Sequence, residues 1–449
     1  MISLVNFLEF FIDRMDRDGI DHCVLRNYEG LPNRSSGNDI DMLIRESDFE
    51  AIVKIIKDID SVIITTIVRR FYVKSIFIYG VSWGDARTAI KFDFVPSNFY
   101  WKGLPYLGCD EVFNKMIEVP SSGGMLMRPS PCHEAVISFF SSYLIGKWIN
   151  EKYQKNVQAV FANNRAEVLQ ILQGFLSRKL SNSLLNAVID DDRDAIFTLL
   201  SSIKFQLIIG ELWKNPIKAF CSAVRHHVDE IKVQFTQYPI TNVCFLGVDG
   251  SGKSSVISAI SRELEGVAKE IFFIHLKPDL KRSRSSVGLV IDDPHSMPPR
   301  NKVISIAKLG WWLILYWYDN YFHKHRNATL RIWDRYYYDI YVDPKRYRYG
   351  AGMRIAKFLG RFVPDPGLIV VLDAPCEVIH ARKSEVKLAE TKRQQEAYLT
   401  FAKERRNCVV IDTAQSLDRT VNEVLAEVLS YMQVREKQRN KFNGSKRAD

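Results

Sequence analysis

The stretch Gly247-Val-Asp-Gly-Ser-Gly-Lys-Ser-Ser255 has the residue types and spacing that chemistry on a nucleoside triphosphate requires. It fits G-x-x-x-x-G-K-[ST], in which glycines let the backbone close around phosphate oxygens and the lysine reaches the β- and γ-phosphates. Gly247, Gly250, Ser251, Gly252, Lys253, Ser254 and Ser255 are therefore the candidate ATP-binding residues, and the Ser254 hydroxyl would complete the shell of a Mg2+ ion that keeps several waters. A second group, Asp334-Arg335-Tyr336, closes the apolar run Thr329-Leu-Arg-Ile-Trp333. Asp334 there could hold magnesium waters or orient an attacking oxygen, and Arg335 could clamp an acceptor phosphate. A third group lies far upstream. In Asp39-Ile-Asp41-Met the strand period of two places both carboxylates on one face, and Asp93, between Phe92 and Phe94, offers a third. Such a set can hold divalent cations.

These groups need elements to position them. Val243 to Leu246 reads as a buried parallel strand before the glycine loop, and Val256, Ile257, Ile260 and Leu264 give the helix after it, whose N-terminus favours phosphate. Strands are expected at Glu270 to Leu276, Thr329 to Trp333 and across Leu-Ile-Val-Val-Leu-Asp373, with helices from Val303 to His325, Arg354 to Phe362 and Glu377 to Arg382. Upstream, helical and strand patterns alternate to about residue 128: a first helix, the segment from His22, the Asp39 strand, a helix from Ser47 to Ile59, strands near Val62 to Val68 and Ser75 to Tyr79, and a last strand through Asp93. Residues 129 to about 235 read as helices alone. The basic stretch Lys277 to Arg300 is a connection whose Lys281, Arg282, Arg284, His295 and Arg300 either gather an anionic acceptor or form a solvated loop.

The second half, residues 242 to 412, resembles the thymidylate kinase family of P-loop kinases through three motifs in order: GVDGSGKSS, DRY, and PDPGLIVVLDAPCEVIHARK. The resemblance implies that Asp249 contacts the acceptor sugar, that Arg335 holds its phosphate, and that Arg382 opens a basic lid, Lys383 to Arg393, with Lys383, Lys387, Lys392 and Arg393 closing over ATP. Asp249, Lys253, Asp334, Arg335 and Arg382 are thus the candidate catalytic residues. Members usually carry a base-reading arginine on the helix before DRY, where this chain has Leu-Ile-Leu-Tyr-Trp-Tyr-Asp319-Asn320, so dTMP is not the expected acceptor. Residues 20 to 100 resemble the nucleotidyltransferase superfamily with the polymerase β-like fold, which implies that Asp39, Asp41 and Asp93 bind metal for nucleotidyl transfer. That superfamily's usual glycine pair ahead of the acids is replaced by Leu-Arg-Asn-Tyr-Glu-Gly-Leu-Pro-Asn-Arg-Ser-Ser.

Composition sets the frame. A chain of 449 residues with 47% hydrophobic content supplies two or three ordinary cores. A formal charge of +10 suits phosphorylated ligands, anionic glycans or nucleic acid without choosing among them, and no specific nucleic acid is expected. Seven scattered cysteines without a CxxC pair argue for a reducing cytoplasm and against a zinc site. Glu9 and Asp13 break the first apolar stretch, so it reads as an amphipathic helix rather than a signal. The run Leu309 to Tyr318 is about half of a bilayer span; it reads as a core helix or as a contact for a bulky or lipid-linked acceptor. No transmembrane segment is expected, and peripheral membrane contact stays open.

The expected architecture is α/β: a nucleotidyltransferase-like α+β domain (1–128), a helical domain (129–236), a thymidylate kinase-like parallel-sheet domain (237–433) and a basic mobile tail (434–449). The expected function is ATP-dependent phosphotransfer to a phosphorylated or glycan-type small acceptor, fused to metal-dependent nucleotidyl transfer. Alternatives are a dTMP kinase and an ATP-binding regulator or scaffold. The oligomeric state stays open, a dimer included.

Overall fold

The computed structural model describes the chain apart from residues 27–30, 32–38, 84–86, 122–123, 146–150, 233–240, 266, 268–269, 277–297, 323–328, 384–386 and 446–449. The Ser36-Gly37-Asn38 turn and, within the basic stretch, Lys281, Arg282, Arg284 and His295 lie outside the described residues. The chain divides into two compact units, Met1–Gln237 and Tyr238–Asp449.

The first unit opens with β1 (Ile2–Ser3) and α1 (Leu4–Arg17). Ser3 caps α1 by accepting the Asn6 N–H, and Leu4, Phe7, Leu8, Phe11 and Met15 recur on its buried side. Then follow β2 (His22–Val24), β3 (Asp39–Ile44), α2 (Phe49–Lys57), β4 (Ile63–Arg69), β5 (Lys74–Trp83) and β6 (Arg87–Pro96). Among the described residues they form one sheet in the order β1-β5-β6-β3-β2, with β4 also paired to β5. Strand β3 runs parallel to β6 in a register that sets Asp41 opposite Asp93. Ile40, Met42 and Ile44 enter the core that α1 covers, together with Phe92 and Phe94; Leu43, on the face of the two acids, enters a second core.

That second core corrects the expected organisation. Between residues 98 and 128 the sequence pattern shows no strand, yet the chain forms β7 (Asn98–Trp101), β8 (Leu104–Gly108), α3 (Cys109–Phe113), β9 (Ile117–Ser121) and β10 (Gly124–Arg128). These are two short antiparallel pairs, β7 with β8 and β9 with β10, the first with a register irregularity between Phe99 and Tyr100, rather than long alternating runs, which weakens their signal. The helices α4 (Pro131–Phe140), α5 (Glu151–Asn163), α6 (Arg165–Gln173), α7 (Arg178–Ile189), α8 (Arg193–Lys214) and α9 (Pro216–Lys232) follow. Phe99, Leu107, Val112 and Phe113 share one apolar cluster with Phe139, Phe161, Leu184 and Leu200, so residue 128 does not separate two cores. Helix α8, with mean hydropathy 1.5, is long and apolar enough by length and composition to cross a membrane. Its Ile196, Leu200, Ile203 and Leu207 are buried in the apolar cluster, while Phe197, Phe205 and Trp213 are exposed.

The second unit comprises β11 (Thr241–Leu246), α10 (Lys253–Glu263), β12 (Glu270–His275), α11 (Lys302–Phe322), β13 (Thr329–Asp334), α12 (Asp339–Val342), α13 (Met353–Gly360), β14 (Leu368–Asp373), α14 (Cys376–Arg382), α15 (Leu388–Lys403), β15 (Cys408–Asp412) and α16 (Leu417–Ser445). The strands are all parallel, in the order β12-β13-β11-β14-β15. Strand β11 is central, with chain excursions to β13 on one side and β14 on the other; the crevice at its C-terminal end is where such sheets bind ligands. Cys244, Leu246, Trp333, Ile369 and Val371 form the buried middle. Residues 434 to 445, expected as a tail, continue α16 as helix.

Candidate functional site

The C-terminal end of β11 runs directly into the glycine loop. Gly247, Gly250 and Gly252 all have positive φ, at 147°, 92° and 84°. A Cβ at Gly247 would collide with the Leu372 carbonyl, and one at Gly250 would lie 2.7 Å from the Ile379 carbonyl, so the loop is pressed against β14 and α14 where only glycine fits. Helix α10 starts at Lys253 and turns its free N–H groups into the loop. Lys253 is buried, and its ammonium donates to the carbonyls of Gly247 and Val248 at 2.7 and 2.9 Å. Burial, reinforced by the Arg335 charge, pushes this ammonium down to about 8. Ser251 is fully buried, whereas Ser254 and Ser255 are exposed on the first turn of α10.

Asp334 ends β13 beside β11, in register with Phe245 and His275. Its Oδ2 lies 3.1 Å from His275 Nδ1, and its buried Oδ1 has no hydrogen-bond partner among the described residues. Burial pushes this carboxyl up, but His275 and the Lys253 and Arg335 charges outweigh it and hold it below the ordinary value. An unpartnered carboxylate oxygen, a serine at the first turn of a helix and a glycine cradle fit a Mg2+ nucleotide. Ser254 and Asp334 would hold the ion through its waters, and the ion would neutralise phosphate charge.

Arg335 follows in a left-handed conformation (φ 69°), its N–H donating to the Phe245 carbonyl at 3.0 Å. A non-glycine residue at this φ is held by its surroundings. Here its guanidinium donates to Asp339 at 2.6 Å and to Asp249. Asp339, fully buried, also accepts from the hydroxyls of Tyr347 and Tyr398. Arg346 reaches Asp249 from the other side and lies 3.4 Å from Asp343. The sequence reading reached Asp249 and Arg335 but missed Arg346, Asp339, Asp343, Tyr347, Tyr398 and His275. The usable signal was the run Asp-Pro-Lys-Arg-Tyr-Arg-Tyr349, where charge and hydroxyls alternate directly after DRY.

Other expected residues lie elsewhere. The Arg382 guanidinium donates to the Thr413 carbonyl at 2.8 Å, at the end of β15. Arg393 is bound to Glu390 and the Val342 carbonyl at 2.8 Å, while Lys387, at the N-cap of α15, and Lys392, within it, are exposed. Lys383 adjoins the loop, its Cβ facing Gly250. Asp319, near the place where the resemblance would put a base-reading arginine, is buried and accepts from Arg331 at 2.7 Å. Arg300 N–H donates to the Arg348 carbonyl at 2.9 Å, which ties the end of the basic stretch to the segment carrying Arg346.

In the first unit, Asp39, Asp41 and Asp93 present carboxylate oxygens that all lie within 4.8 Å of one another. Two cations share the space. Arg26 donates to Asp41 at 2.5 Å, and Lys91 donates to Asp93 at 2.5 Å while standing 4.0 Å from Asp39. Ser75 donates to Asp93 at 2.6 Å. Burial pushes the Asp41 carboxyl up against the pull of Arg26. Three oxygens at this spacing fit a divalent cation by donor type and separation.

No family model matches the chain, and no curated protein sequence matches it. Among solved structures, a thymidylate kinase from Ehrlichia chaffeensis is similar over 42% of this chain and 98% of that one, with 16% identity and a TM-score of 0.29.

Proposed function

We propose that the second unit is a P-loop phosphotransferase that uses ATP and Mg2+ to phosphorylate a small acceptor bearing an anionic group. The observation that carries this reading is the buried Arg335, held in a left-handed conformation by Asp249 and Asp339, beside the Lys253 end of the glycine loop. A nucleotide switch needs the loop alone; an acceptor clamp built into the same crevice serves transfer. Gly247 to Ser255 hold the triphosphate, Lys253 meets its β- and γ-phosphates, Asp334 orients magnesium waters or the attacking oxygen, and Arg335 binds the acceptor's charge. The acceptor is a phosphorylated or glycan-type molecule rather than dTMP, because α11 offers no base-reading arginine at Asp319, which is spent on Arg331. The test is product detection after incubating the protein with MgATP and dTMP, phosphosugars or glycan extracts. Lys253→Ala is expected to abolish transfer, a loss of several kcal/mol of transition-state stabilisation, while the protein remains folded. Efficient, saturable phosphorylation of dTMP would overturn the acceptor assignment, and full turnover by Lys253→Ala would overturn the phosphotransfer reading.

A second reading concerns the first unit. The convergence of Asp39, Asp41 and Asp93 from two adjacent strands supports metal-dependent nucleotidyl transfer there.

A further inference from the structure

In the second unit, α11 and α13 turn a common apolar surface outward. Trp311, Ile314 and Tyr318 occupy the side of α11 opposite Leu309, Trp312 and Tyr316, which enter the core; Ile314 is 59% exposed and Trp311 50%. Trp317 Nε1 donates to the Phe362 carbonyl at 2.7 Å, which seats the end of α13 against α11. There Phe358 and Phe362 pack edge to face at 5.4 Å, each with about half its surface exposed. A contiguous apolar surface of this kind on a folded unit marks a docking site.

Its charge names the partner. From Lys302 to Phe362 the chain carries twelve lysines and arginines against four aspartates and no glutamate. Three of the four aspartates are buried, Asp319 bonded to Arg331, Asp339 to Arg335 and Asp343 beside Arg346, and the fourth, Asp334, is paired with His275 at the end of β13. Arg354, Lys357 and Arg361 are exposed and interleave with Phe358 and Phe362. We propose that this face docks the protein on an anionic phospholipid bilayer, its rings entering the headgroup boundary and its cations meeting lipid phosphate. A second copy of the chain would set like charges against one another. The apolar stripe of α9, by contrast, carries Lys218 and Arg225 alongside Asp229 and Glu230 and has no such bias.

The test is cosedimentation of the full chain, without nucleotide, on vesicles of phosphatidylcholine alone or with about 30% phosphatidylglycerol, at about 0.1 M salt. Omitting nucleotide keeps the outcome separate from that of the phosphotransfer reading. Anionic vesicles are expected to bind at least about tenfold more protein, and the excess should fall away near 0.5 M salt. The pair Lys357→Glu and Arg361→Glu should lower binding by about tenfold or more, and Ile314→Glu with Phe358→Glu should remove it, with unchanged melting temperature in both because the sites are exposed. Equal binding to both vesicles, no binding, or variants that bind as the parent does would each overturn the proposal. So would a dimer that Phe358→Glu dissociates, which gives the face to a second copy. Variants that melt several degrees lower would show that the chain's own residues cover it.

Discussion

Lys253 makes the site pH-sensitive in a defined direction. Its ammonium falls from 10.5 in the free side chain to about 8 in the fold, chiefly through burial. The unfolded chain therefore holds a proton that the folded chain releases between those values. The group's penalty, about 3 kcal/mol, is fully present below pH 8 and is relieved as pH rises towards 10.5. The difference in melting temperature between Lys253→Met and the parent should accordingly change between pH 7 and pH 10, in the direction of a relative gain for the parent. Triphosphate binding demands the charged form, so affinity measured by calorimetry should weaken by up to about tenfold per pH unit above 8. The loop glycines differ in a similarly measurable way. Gly247→Ala meets the Leu372 carbonyl, whereas an alanine at Gly252 meets nothing within 4 Å and bears only its positive φ. Both should weaken nucleotide binding, but Gly252→Ala should cost about 1–2 kcal/mol of stability and Gly247→Ala distinctly more.

Among the elements, α11 and β13 are joined by a pair that neither solvates. Arg331 and Asp319 are 2% and 4% exposed and bond at 2.7 Å. Removing one partner leaves a buried charge, so Asp319→Asn or Arg331→Met should each lower stability by about 3–5 kcal/mol in denaturant melts, while the double change Asp319→Leu with Arg331→Met should recover most of it. This pair also shows where sequence reading runs out. Parallel strands buried on both faces announce themselves as apolar runs, and β11, β13 and β14 were legible for that reason. The chemistry of the glycine loop and Asp334-Arg335 was legible because local spacing alone carries it. Arg346 and Asp339 reach the site through tertiary folding of the tyrosine-rich segment, and Asp319 is drawn to β13 by a partner twelve residues away. The hairpins β7 to β10 were missed because strands of four or five residues hardly repeat a period.

At the scale of the whole molecule, two units carry two clusters that share no residue. Asp41→Asn should therefore remove any nucleotidyl transfer while leaving ATP-dependent phosphotransfer at its parental rate; loss of both activities would refute their independence. The two clusters differ in one respect that reaches beyond either. Around Asp39, Asp41 and Asp93 the counter-charge is already supplied from within, by Lys91 and Arg26. A divalent ion taking that place has to evict the Lys91 ammonium, so uptake is an exchange rather than a simple addition, whereas the buried Asp334 Oδ1 has no hydrogen-bond partner among the described residues. The two proposed chemistries should then have staggered thresholds for magnesium, the one at the glycine loop saturating first and the one at the aspartate cluster only at higher concentration. A Lys91→Met chain should bring the two titration midpoints together, and midpoints that coincide in the parent would rule out the exchange.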